Sequence, residues 1–178
     1  SIDSRQGHLE GRTTAAKPSG GNSVPISGSG TALFIDQVTF SPVTPGGPVP
    51  THITVRLNLA FDGTLAVGAM TSFADVEVMV ILGNVTMRLI RSLAWNGAPN
   101  PRDGSDFLVL APGLMQTPDI VVPVNSPDTI RLQLALSAGA QDQGSASSEH
   151  HLAFPTGMDL FVLPPGFTAN APALFISN

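Results

Sequence analysis

Three stretches of the chain alternate apolar and polar residues with a period of two. In residues 52–61, Ile53, Val55, Leu57 and Leu59 share one side, and His52, Thr54, Arg56 and Asn58 the other. Residues 75–82 bring Val76, Val78, Val80 and Leu82 together, and residues 129–137 do the same with Ile130, Leu132, Leu134 and Leu136. Successive side chains leave a strand on opposite faces, so this is the pattern of strands buried on one face. A helix needs apolar residues three and four apart, and no stretch of helical length offers that spacing with caps. The nearest, residues 78–93, is rich in Val, Ile and Thr and is broken by Gly83-Asn84, which favours two strands.

Weaker strand signals lie at residues 31–40, 64–70, 85–91, 107–110, 119–124, 144–154, 159–163 and 174–176. Asp62-Gly63 and Gly83-Asn84 read as hairpin turns, because such turns need a positive φ that glycine adopts freely. Residues 41–50 and 96–106 carry several prolines, which cannot donate to a ladder and therefore mark connections or sheet edges. Many short strands separated by Gly, Pro, Asn and Asp predict an all-β fold: an antiparallel β-sandwich with jelly-roll or Greek-key-like connections.

Residues 1–30 differ. They hold few apolar side chains, are dense in Gly, Ser and Thr, and carry Arg5, Arg12 and Lys17. Such a segment buries too little apolar surface to offset its ordering entropy and needs a host surface. The chain therefore divides into an extended arm over residues 1–30 and a sandwich over residues 31–178. The arm either folds back on its own domain or donates a strand to another copy, with Val24 and Ile26 as the alternate side chains that would enter pockets.

Composition narrows the classes. At 178 residues the chain has the size of one domain. Its 8 basic residues and net charge of −5 give a phosphate-binding surface little to work with, so no nucleic-acid partner is expected. No apolar run reaches the ~18 residues of a membrane-spanning helix. The lack of cysteine excludes disulfides, iron–sulfur clusters and thiolate zinc sites. Charged residues make up only 12%, against about 25% in ordinary soluble domains. The first residue is Ser1 rather than Met, which fits removal of a secretory signal and equally a chain trimmed at its start.

The search for chemistry returns little. Ser27-Gly28-Ser29-Gly30 resembles a nucleophile elbow only in letters and lies in the arm. His150 and His151 are adjacent, so on a strand they point to opposite faces and cannot grip one ion together. Asp103-Gly104-Ser105-Asp106 places hard oxygens on a turn, making Asp103 and Asp106 weak calcium candidates, although the spacing is not that of an EF-hand. The acids are scattered singly rather than paired as glycoside hydrolysis requires. Trp95, the one tryptophan, is the candidate ligand contact for a sugar. No catalytic residue and no cofactor is expected.

Near the C-terminus Phe154-Pro155 is followed by Phe161, Leu163, Pro164, Gly166, Phe167, Thr168 and Asn170, and then by Ile176 and Asn178. This run resembles the closing segment of secreted bacterial proteins of the PEP-CTERM sorting type, with Phe167 in place of the usual Tyr and Ala171 in place of Ser. The Ser/Ala-rich residues 144–148 fit the same pattern. The resemblance covers about a fifth of the chain, and the sorting signal itself does not occur in it. It implies export and attachment to the cell surface or its polysaccharide matrix, and it carries over no catalytic residue.

Together these readings predict a non-enzymatic extracellular structural protein, a surface or biofilm-matrix filament subunit whose partners are copies of itself, joined by strand pairing. The alternative is an extracellular polysaccharide-binding module, calcium-assisted. Affinity electrophoresis in matrix polysaccharide, with and without chelator, separates the two.

Overall fold

The alternating segments are strands. The computed structural model describes residues 2–5, 8–17, 26–44, 46, 48–68, 72–94, 103–140 and 144–171. In chain order the strands are β1 (Ile2–Arg5), β2 (His8–Ala16), β3 (Ile26–Pro42), β4 (His52–Val67) and β5 (Phe73–Leu82). They continue with β6 (Val85–Ala94), β7 (Gly104–Ser105), β8 (Leu108–Ala111), β9 (Leu114–Gln116) and β10 (Ile120–Pro123). The last are β11 (Pro127–Ala140), β12 (Ser145–Ala153), β13 (Phe161–Val162) and β14 (Phe167–Asn170). Among the described residues there is no helix.

Two antiparallel sheets pack face to face as an all-β sandwich. The first runs β1-β2-β12-β4-β9-β8, with β10 and β13 also paired to β4; the second runs β14-β3-β11-β5-β6-β7. Late strands lie between early ones: β11 separates β3 from β5, and β12 separates β2 from β4. The chain therefore crosses between layers repeatedly, as in Greek-key folds.

The core follows the period-2 pattern. Val55, Leu57 and Leu59 of β4 meet Val76, Val78, Val80 and Leu82 of β5 and Ile130, Leu132, Leu134 and Leu136 of β11, all at most 3% exposed. Each such side chain contributes about 1.5–3 kcal/mol. A second cluster is made only of alanines, Ala15, Ala74, Ala138, Ala140 and Ala146. Small side chains let the sheets close together at that end.

Two expectations are corrected. Gly83 does form the β5–β6 turn, with a φ of +58°, and Leu82 pairs with Val85. Asp62-Gly63 forms no turn: β4 runs straight through it. Gly63 serves a different purpose. It stands in the ladder opposite His150 of β12, where a Cβ would lie 2.2 Å from the Glu149 carbonyl oxygen, at a φ of +142° that disfavours side chains.

The expected arm over residues 1–30 is also different. β2 pairs along its whole length with β12, from His8 opposite Ala153 to Ala16 opposite Ser145. The 30/31 boundary falls inside β3, and Ile26 pairs with Ala140 of its own chain. The low apolar content is offset by a full backbone ladder, and Leu9 (0% exposed) and Ala15 (2%) supply the inward contacts. Of the two courses open to this segment, Ile26 follows the fold-back and pairs within its own chain. Val24 lies outside the described residues, as does the expected strand at residues 174–176.

Candidate functional site

The sequence candidates separate in space. Trp95 lies outside the described residues. Asp103 and Asp106 do not converge on a common point as calcium ligands. Asp103 Oδ1 accepts the Ser92 N–H at 2.6 Å, and Asp106 Oδ2 accepts the Arg88 N–H at 2.9 Å. Asp106 also donates its own N–H to the Arg88 carbonyl at 2.9 Å. Both carboxylates thus cap backbone donors of β6, the strand next to the sheet margin, where two-residue β7 pairs only with Leu89 and Ile90. Charged groups on a sheet edge block pairing with another chain.

The other margin of the second sheet is dressed differently. β14 pairs only with residues 39–42 of β3. Along residues 26–38, no described strand lies on the side of β3 away from β11. The odd-numbered side chains from Ser27 to Gln37 are all exposed, including Leu33 and Ile35 at 39% and 56%. An unpaired strand edge is a template for pairing with another strand. β8, at the far margin of the first sheet, is apolar and exposed too, with Val109 at 69%. It is short and carries an irregularity between Val109 and Ala111.

The two adjacent histidines diverge as the strand geometry requires. His150 points inward, 4% exposed, and stacks on Phe61 with ring centroids 5.3 Å apart. Burial pushes its pKa from 6.5 down to about 4, with His151 lowering it further and Asp62 opposing. Ser148 Oγ stands 3.4 Å from His150 Nδ1 and donates to the Asp75 carbonyl at 2.9 Å. Ser148 has no exposed surface, so this pair ties β12 to β5 rather than meeting a substrate. Asp75 accepts further bonds from Ser92 and Ser137.

His151 points outward, and the ladder brings it a partner that sequence spacing did not reveal. Glu10 of β2 is directly opposite it. Glu10 Oε2 lies 3.5 Å from His151 Nδ1 and 3.2 Å from His8 Nε2. The three ligand-bearing atoms all fall within 4.8 Å of one another. His8-x-Glu10 is a same-face pair on a strand, but the third member becomes visible only once β2 and β12 are in register.

Comparisons with known proteins decide nothing further. No family model, curated protein or solved structure matches this chain. The reading of function therefore rests on geometry.

Open clefts also mark the surface of the described residues. One of about 960 Å³ is lined by Asn58, Asp159, Phe161, Pro164 and Phe167. Its floor is fixed: Asn58 donates to the Asp159 carbonyl at 2.8 Å and accepts from Gln116 at 2.8 Å. Another, of about 580 Å³, is lined by Phe61, Asp62, Arg91, Asp103 and His150. His150 lines this cleft with its ring stacked on Phe61.

Proposed function

We propose that this chain is a non-enzymatic extracellular structural subunit that associates with copies of itself by pairing strands along the open margin of β3. The observation that carries this reading is the contrast within one sheet. Residues 26–38 of β3 have no described partner on their outer side and show Leu33 and Ile35 to solvent, while the opposite margin is capped by Asp103 and Asp106. Main-chain hydrogen bonds supply affinity in such strand addition, and alternate side chains supply specificity. The exposed apolar β8, at the other end of the first sheet, gives a second contact. Association through two different edges does not close at a dimer but grows as a filament.

The low charge and the C-terminal resemblance support a place at the cell surface or in its polysaccharide matrix. Sedimentation and electron microscopy test the reading. The wild-type chain is expected to gain mass with concentration and form filaments. Leu33→Lys/Ile35→Lys is expected to stay monomeric with an unchanged circular dichroism spectrum. A wild-type monomer at every concentration, or a double variant that assembles as before, contradicts it.

A further inference from the structure

We propose that His8, Glu10 and His151 form a binding site for a divalent transition metal of the zinc class, on the outer face of the first sheet. The proposal is independent of how copies of the chain associate.

The ladder builds the site. Glu10 and His151 are a directly opposed pair, so their side chains rise side by side on the same face. His8, two residues back on β2, shares that face and stands opposite Ala153. Ala153 is small and leaves room for the His8 ring to lean toward His151, with centroids 5.8 Å apart. One oxygen, Glu10 Oε2, faces an imidazole nitrogen of each histidine, at 3.2 and 3.5 Å.

Those two separations are the edges of a coordination polyhedron. Zinc bonds to nitrogen and carboxylate oxygen of about 2.0–2.1 Å make tetrahedral edges of about 3.3–3.4 Å. Only the histidine–histidine separation, within 4.8 Å, has to contract, and both rings are 40–45% exposed and free of tight packing. Imidazole and carboxylate donors suit zinc, copper and nickel rather than calcium or magnesium. Two rungs along the ladder, on the same face, Arg12 pairs with Glu149 at 3.4 Å; its charge is thereby balanced beside the site. Three protein ligands leave a fourth position to water. A bound ion would tie β2 to β12 across their ladder.

The test is a zinc titration of the full chain by calorimetry, with cobalt absorption as a reporter of tetrahedral geometry. One ion per chain is expected. His8→Ala, Glu10→Gln and His151→Ala are each expected to weaken binding about tenfold or more, whereas His52→Ala, exposed at the start of β4 and away from the cluster, leaves it unchanged. Zinc should raise the melting temperature of the wild type and not of His151→Ala. Circular dichroism verifies that each variant is folded; Glu10→Gln keeps size and ladder and so separates lost ligation from lost structure. No binding up to about 1 mM zinc, or equal affinity in wild type and His151→Ala, overturns the proposal.

Discussion

The two margins of the second sheet answer the same physical problem in opposite ways. At β6 the chain supplies its own partners: β7 pairs with two residues, and the Asp103 and Asp106 carboxylates accept backbone N–H groups on either side of them. Arg88 and Glu77, 3.7 Å apart, add charge nearby. At β3 a run of Ser, Gly, Thr, Leu and Ile meets solvent with Asp36 as its one charge between residues 26 and 38. Proteins blunt edges because an unpaired one recruits other chains. A fold that closes one margin with carboxylates and leaves the other bare has a direction in which it can grow.

The contrast can be broken or sharpened by substitution. The largest effect is expected from Gly63→Ala, which touches neither margin. A Cβ there meets the Glu149 carbonyl at 2.2 Å and strains a φ of +142°, so unfolding should cost about 2–4 kcal/mol less in chemical denaturation. Whatever remains folded should still associate through β3. If Gly63→Ala left stability unchanged, the close approach of Gly63 to β12 in the ladder would be wrong.

Acid comes next. His150 is held near a pKa of about 4 by burial, while in the unfolded chain it returns to its ordinary value of 6.5. Because the folded value is lower, the unfolded state binds more protons between them. Its contribution is therefore fully present above pH 6.5 and is lost as pH falls toward 4, by roughly 2 kcal/mol. Denaturation curves across that window, in chelating buffer, check this. His150→Gln should flatten the slope, and an unchanged slope would place the sensitivity elsewhere.

A smaller loss, about 1–2 kcal/mol, is expected from Asp106→Ala, which removes a charged acceptor from the Arg88 N–H. The informative part is qualitative: with Asp103 also replaced, the β6 margin should begin to associate, visible as light scattering in a background already blocked at β3. Smallest of all, Ile35→Lys should shift stability by no more than about 0.5 kcal/mol, since Ile35 is 56% exposed, while removing self-association.

The sequence revealed the body of the fold because the signal there is local. Val76 to Leu82 and Ile130 to Leu136 alternate cleanly, and Gly83-Asn84 turns the chain where it should. Asp62-Gly63 misled because a glycine needed for a turn and a glycine needed where a ladder partner presses close look the same in one dimension. β2 carries little strand signal of its own because its stability comes from the edge of β12, a partner more than a hundred residues away. The same distance hid the cluster of His8, Glu10 and His151. Asp103 and Asp106 were legible as oxygen-rich, but not as caps, because their acceptors face the backbone of a neighbouring strand.

Hydrogen–deuterium exchange at increasing protein concentration tests the open margin most directly. Alternate amides of residues 26–38, those turned away from β11, are predicted to gain protection as the chain associates, while the amides of β6 keep a constant rate. Rising mass with no added protection along β3 would contradict the account.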